Sequence, residues 1–323
     1  MEITTEGIMS KKLFYTLFMI IAFSFAISAQ DTPKDTTTTE GDTVITNTDN
    51  EWDEIEHNWD DNSRSWEKDY THWESNFFSF SSDPTLSFNY GFSKASIKKF
   101  NSVFSDPNLA ELRIGFSELR DVHEFLVKYK YEYLELTNIS TQLNKKTTTD
   151  LKSDLWRISA GWSKGYGYRI GDGAISLYNT TSLNWSRLNM FTQAVNAPDS
   201  AYLHYFDKSI RFGTSAEGGI AIKIIPQISV TAGYEKSAIF PRHMFWKWAG
   251  SAILESIVNE SVNKFVEKII DSSPAAAPIV NFVLKSGLEY GLYELRKEKM
   301  NWPFKSAAPL SYDQFKFGLS FSL

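Results

Sequence analysis

The chain has 323 residues, a formal net charge of −6, no cysteine and 15% aromatic residues. Without cysteine there is no disulfide framework and no thiol for a lipid anchor, so an exported chain of this kind holds itself by hydrogen bonding and burial. The charge is unevenly spread: Asp31 to Pro84 carries fifteen acidic residues against Lys34, Arg64 and Lys68, a net of −12, and Thr85 onward carries +6. An acidic arm joined to a mildly basic body is either a solvated tail or a segment that docks on a basic partner. Nothing in this balance calls for nucleic acid.

Residues 1–29 read as a secretory signal, with Met9 as an alternative start. Lys11 and Lys12 precede the apolar run Leu13 to Ile27, and Ile27-Ser28-Ala29 supplies a small-residue exit before Gln30. No later apolar run reaches the ~20 residues that a spanning helix needs. Residues 30–50 are rich in Thr and Asp and read as a disordered linker. In 51–84, Trp52, Trp59, Trp66 and Trp73 recur every seven residues and Phe80 continues the series. On a helix these would form one stripe drifting ~20° per heptad. The stripe is either a packed face or a partner-binding arm. His57 and His72 lie among its acids without a metal-ligand spacing, so neither metal nor cofactor is expected.

From Leu86 the period becomes two, which predicts strands with one apolar and one polar face. Strand one sets Leu86, Phe88, Tyr90 and Phe92 against Ser87, Asn89, Gly91 and Ser93; strand two sets Ala110, Leu112, Ile114 and Phe116 against Glu111, Arg113 and Gly115. Strand three places Val127, Tyr129, Tyr131 and Tyr133 on the apolar face, opposite Lys128, Lys130 and Glu132. Strand four runs through Trp156, Ile158, Ala160 and Trp162, strand five through Ile175, Leu177, Leu183 and Trp185. Strands six and seven carry Phe212, Ile220 and Ile222, then Ile228, Val230, Ala232 and Tyr234. The strand 312–323 closes the chain, alternating Phe315, Phe317, Leu319, Phe321 and Leu323 with Gln314, Lys316 and Gly318.

Eight such strands ending at the C-terminus resemble the small transmembrane β-barrels of the bacterial outer membrane. In that family the closing strand usually ends in an aromatic residue; here Leu323 holds the last place and Phe321 is the nearest aromatic. The resemblance covers about residues 86–323 and implies outer-membrane lipid against the apolar face. The links after strands two, four and six are short and those after one, three, five and seven are long, as in membrane barrels. The short rim and the arm are then periplasmic. The polar face would line the lumen with Glu111, Arg113, Lys128, Lys130, Glu132, Arg157, Arg169, Arg211, Glu217, Lys223, Glu235 and Lys316. Lys164 and Lys236 fall on the lipid face and are expected near an interface, where they can snorkel.

Within 241–311 the period turns helical: Leu254, Val258, Val262, Phe265 and Ile269, a stop at Ser272-Ser273-Pro274, then Val280, Leu284, Leu288, Leu292 and Leu295. This predicts a helical hairpin inserted before the last strand, placed extracellularly by loop parity. It would cap or flank the barrel at its rim, lie on the outer leaflet through Phe245, Trp246 and Trp248, or bind an extracellular partner. Candidate chemistry is sparse. His204, Asp207 and Ser209 resemble only in kind the residues of barrel-borne lipid-modifying enzymes, and His243 is a weaker candidate. The expected class is an all-β transmembrane barrel of eight antiparallel strands with a helical hairpin and a short N-terminal helical arm. It would serve as a structural or partner-binding protein of the surface of a Gram-negative-type bacterium, exported by the general secretory route. A lipid-modifying enzyme and a transporter of small hydrophobic molecules are the alternatives.

Overall fold

A computed structural model describes residues 82–98, 100–144, 151–191 and 197–323. The signal, the linker and the arm with Trp52, Trp59, Trp66 and Trp73 lie outside them. Eight strands form one closed antiparallel barrel in chain order. They are β1 (Asp83–Ile97), β2 (Asn108–Asp121), β3 (Leu126–Ser140), β4 (Lys152–Ile170), β5 (Gly173–Phe191), β6 (Ile210–Ile225), β7 (Ile228–Ile239) and β8 (Leu310–Ser322). Closure comes from β1 pairing with β8, from Thr85 opposite Ser322 to Ile97 opposite Leu310. Full closure leaves no unpaired sheet edge. Among the described residues three α-helices accompany the barrel: α1 (Ala197–Leu203), α2 (Phe245–Ser272) and α3 (Ala277–Glu298).

The outer surface follows the alternation. Phe88, Tyr90, Phe92, Ile114, Phe315, Phe317 and Leu319 are all exposed on adjoining strands β8, β1 and β2, with Phe92 at 55%. The inner surface is polar and full. Tyr133 lies over Gly161 and Tyr178 over Gly219: a Cβ on Gly161 would stand 2.4 Å from Tyr133 Cζ, and one on Gly219 2.5 Å from Tyr178 Cζ. Large-against-small pairing of this kind fills a barrel of eight strands with its own side chains. The cavity left beside Arg113 and Tyr131 holds about 10 Å³.

Strand β3 departs from the expectation. Its tyrosines point inward: Arg113 sits 4.4 Å from the Tyr133 ring centre, and the Tyr131 hydroxyl lies 3.3 Å from Ser87 Oγ. Since Arg113 is opposite Glu135 and Gly115 opposite Tyr133, Lys128, Lys130 and Glu132 face outward and do not line the lumen. The amphipathic phenol explains the misassignment, because a tyrosine fills volume as an apolar group while its hydroxyl bonds a polar interior.

At the long-loop end the lumen is sealed by a cluster in which Phe104, Leu151, Leu203 and Phe206 from the connections meet Leu109, Ile139, Leu155 and Leu310 of the strands. Asp199 of α1 fastens this lid by accepting from the backbone N–H of Asn101 and Ser102, at 3.2 and 3.0 Å, and from the Ser102 hydroxyl.

Candidate functional site: the cleft between barrel wall and hairpin

The hairpin is rooted at the long-loop rim, as parity requires, but its body folds back along the outside of the barrel. α2 leaves that rim after β7, and its Trp248 ring packs 5.4 Å from Phe212. At about 1.5 Å per residue the 28 residues of α2 cover about 42 Å. The turn that follows reaches the short-turn rim, where Tyr168 Oη donates to the Ala275 carbonyl at 2.6 Å. α3 then returns along the wall. Asn179 Nδ2 donates to Ser286 Oγ and Glu289 Oε2 at 2.9 and 3.2 Å, Lys236 meets Glu294 at 3.2 Å, and Glu298 ends paired with Lys98 of the long-loop rim. Of the two packed readings, cap or flank, the hairpin is therefore the flank. A polar patch on the wall, including Asn179 and Lys236, gives α3 something to bond.

Lys236 shows how this works. It points away from the lumen yet is only 9% exposed. Glu294 of α3 and Asp313 of β8 neutralise it at 3.2 and 3.3 Å, and the Tyr290 and Tyr293 rings stand 4.5 and 4.6 Å from its ammonium. It is covered by the chain's own helix, so it has no need to snorkel to an interface. Lys164, likewise expected near an interface, is opposite Lys130 and Asn179 on the outer wall.

Between α2, α3 and the wall lies a cleft of about 380 Å³. Its lining includes Leu183, Ala216 and Leu292 along with Lys236, Glu255, Asn259, Asn263, Glu289 and Arg296. Arg296 of α3 pairs with Glu255 of α2 and donates to Thr214 Oγ1 of the wall at 3.4 Å, tying the three walls together. α2 turns this polar side toward the cleft and leaves Ile253, Leu254, Ile257, Val258 and Phe265 exposed on the other. Trp246, at its head, is 83% exposed. No helix among the described residues is long and apolar enough to cross a membrane. Gly287 and Gly291 of α3 face open space.

The lumen charges condense into a smaller set than the alternation implies. Glu111, Arg113, Arg157, Glu217, Glu235 and Lys316 converge and Glu135 joins them, giving four carboxylates and three cations. The separations are Arg113 to Glu217 2.6 Å, Arg157 to Glu135 2.8 Å and to Glu235 2.6 Å, and Lys316 to Glu111 2.8 Å. Carboxylate oxygens of Glu111, Glu135 and Glu235 lie within 4.8 Å of one another, a spacing that suits a metal ion, but Arg157 and Lys316 already stand among them. Arg169 pairs with Asp121 by the short-turn rim, and Arg211 and Lys223 lie at opposite ends of β6. Glu135 was legible as the next inward position after Tyr133 once the facing of β3 is known.

His204, Asp207 and Ser209 do not assemble into a relay. The Asp207 carboxylate accepts from the Met190 N–H at 2.9 Å, Ser209 Oγ donates to the Asp207 carbonyl at 3.3 Å, and among the described residues no hydrogen bond joins His204 to either. His243, though exposed, lies beside the Phe212, Phe245 and Trp248 rings at the hairpin root, and partial desolvation there holds its pKa below the usual imidazole value.

No family model and no curated relative matches the chain. Among solved structures it is similar to Neisserial surface protein A, at 11% identity and TM-score 0.36, covering 74% of this chain and 97% of that one. It is similar also to Ail, the attachment invasion locus protein of Yersinia pestis (8%, TM-score 0.30, 75% and 99% covered), and to the outer membrane protein OprG from Pseudomonas aeruginosa (9%, TM-score 0.26, 75% and 98% covered).

Proposed function

We propose that this chain is an outer-membrane barrel of a Gram-negative-type bacterium, exported by the general secretory route, that acts as a structural or interaction protein of the cell surface through its outer wall and hairpin. The observation that carries this is the inversion of the barrel. Phe, Tyr, Ile and Leu cover the outside of β8, β1 and β2, and a bonded network of seven charged side chains fills the inside. In water that arrangement would expose a wide apolar belt while burying charge; in lipid it is the stable one. The filled lumen and its apolar lid favour a role on the outer surfaces over passage through the middle. The Trp52, Trp59, Trp66 and Trp73 stripe supplies a periplasmic docking arm in this scheme.

Fractionation tests it. The full chain is expected to sediment with outer membranes, to require detergent for extraction, and to migrate differently in electrophoresis before and after boiling. A protein that stays in solution without detergent overturns the proposal.

A further inference from the structure

We propose that the hairpin stands upright in the bilayer beside the barrel, with the outward face of α3 and the long-loop half of α2 against lipid acyl chains. This rests on the membrane reading above and goes beyond it, because the apolar belt lies on β8, β1 and β2 whereas α3 covers wall on β5 and β7.

The first observation is what α3 exposes. Between Ala277 and Glu298 the exposed residues are Ile279, Val283, Leu284, Tyr290, Leu295 and two glycines. Every charged side chain of α3 before Glu298 is at least partly covered: Glu289 accepts from Asn179, Glu294 meets Lys236, and Arg296 pairs with Glu255. A helix packed between protein and water carries its charges on the water side. α3 does the reverse. The second observation is what lies beneath it. Asn179 and Lys236 stand on the outer wall yet are only 5% and 9% exposed. Hydrocarbon would not solvate them, and α3 bonds them and offers an apolar back in their place.

The third observation is span. α3 runs from the short-turn rim, where Ala275 just before it meets Tyr168, to the long-loop rim, where Glu298 meets Lys98. Its 22 residues cover about 33 Å, close to the ~30 Å of a hydrocarbon core. No helix among the described residues is apolar enough to cross alone. α3 has no need to be, since the wall satisfies its polar side. α2 adds Ile253, Leu254, Ile257 and Val258 to the outward face. Of its exposed charges, Lys247 stands at the head and Glu260 lines the cleft. Those from Lys264 onward lie within about 12 Å of its foot, where long side chains reach the headgroups.

The chain has no cysteine, so single cysteines report on single positions. Val283→Cys, Phe317→Cys and Asp172→Cys are each spin-labelled in the full chain, reconstituted in phosphatidylcholine liposomes, and exposed in turn to oxygen and to a neutral nickel chelate. Hydrocarbon dissolves the first and excludes the second. The oxygen-to-nickel accessibility ratio at Val283 is expected to match that at Phe317 of the barrel belt. It should exceed the ratio at Asp172, in the exposed β4–β5 turn, by about ten-fold or more. Heat-modifiable migration checks folding, and Tyr290→Cys reads the same face should Val283→Cys fail to fold. A water-type ratio at Val283 with a lipid-type ratio at Phe317 overturns the upright hairpin and leaves the membrane reading standing. A water-type ratio at both overturns the membrane reading, and this inference with it. A label at Val283 that neither probe reaches means that protein covers the face, a second copy of this chain included, and also overturns the proposal.

Discussion

Arg157 is the residue on which the lumen turns, since its guanidinium reaches Glu135 and Glu235 within 2.8 Å and is fully buried. Removing one partner of a buried pair leaves charge uncompensated, at a cost of about 3–5 kcal/mol. Arg157→Met is therefore expected to lower the stability of the folded barrel by about that amount, read as a fall in the urea midpoint of the heat-modifiable form. An unchanged midpoint would mean that the network is not as tightly coupled as its geometry. Gly161 tests packing instead of charge, because a methyl there would meet the Tyr133 ring at 2.4 Å. Gly161→Ala is expected to cost about 1–3 kcal/mol, and pairing it with Tyr133→Leu should restore most of the loss. The tyrosine row also shows why residue type alone misleads. Tyr129, Tyr131 and Tyr133 read as lipid-facing by hydropathy, yet their register with β2 turns them inward, and Lys128, Lys130 and Glu132 go out with Leu134 and Leu136.

At the scale of the element, the hairpin's course down the wall has a direct check. A Cβ on Gly218 would stand 3.0 Å from Ser286 Oγ. The chain has no cysteine of its own, so Gly218→Cys with Ser286→Cys should form a disulfide on mild oxidation, being within the reach such a bond requires. A pair that stays reduced would mean that α3 does not rest on β6. The root of the hairpin has a weak pH dependence through His243, which is exposed but partly desolvated by the Phe212, Phe245 and Trp248 rings, so that its folded pKa lies below the usual 6.5. The unfolded chain then binds the proton more readily, so the contribution to stability is complete above pH 6.5 and is lost as pH falls below it. His243→Phe should remove that acid-side slope in a melting series at pH 5 to 8 (about the range in which an ordinary imidazole titrates). A slope that survives the substitution would assign it to other groups.

For the molecule as a whole, the gap beside Arg113 and Tyr131 inside the barrel holds about 10 Å³, room for about one water and not for a file of them. Reconstituted in planar bilayers, the protein should show no ohmic conductance at neutral pH, and opening should require removal of the network and not of a loop. Steady single-channel currents in the intact chain would contradict the filled interior. The barrel spends its polar residues on closing itself, so recognition is left to the outer wall, the hairpin and the loop lid.

Strand number, strand order and the alternation of short and long links were all legible in the sequence. They depend on period-two patterning and on turn positions, which are local properties of the chain. The inward positions of β2, β4, β6, β7 and β8 followed from the same pattern, and Glu111, Arg113, Arg157, Glu217, Glu235 and Lys316 were named on that basis before they were seen to meet. Tertiary structure alone decided the facing of β3, because phenol rings satisfy either side of a strand and only the cross-strand partner selects one. It alone also decided the path of the hairpin. A helix with apolar residues on one stripe declares that the stripe is buried against something, and both a protein wall and a hydrocarbon layer meet that description. The partners of Asn179 and Lys236, more than a hundred and more than fifty residues further along the chain, settle which side touches the barrel.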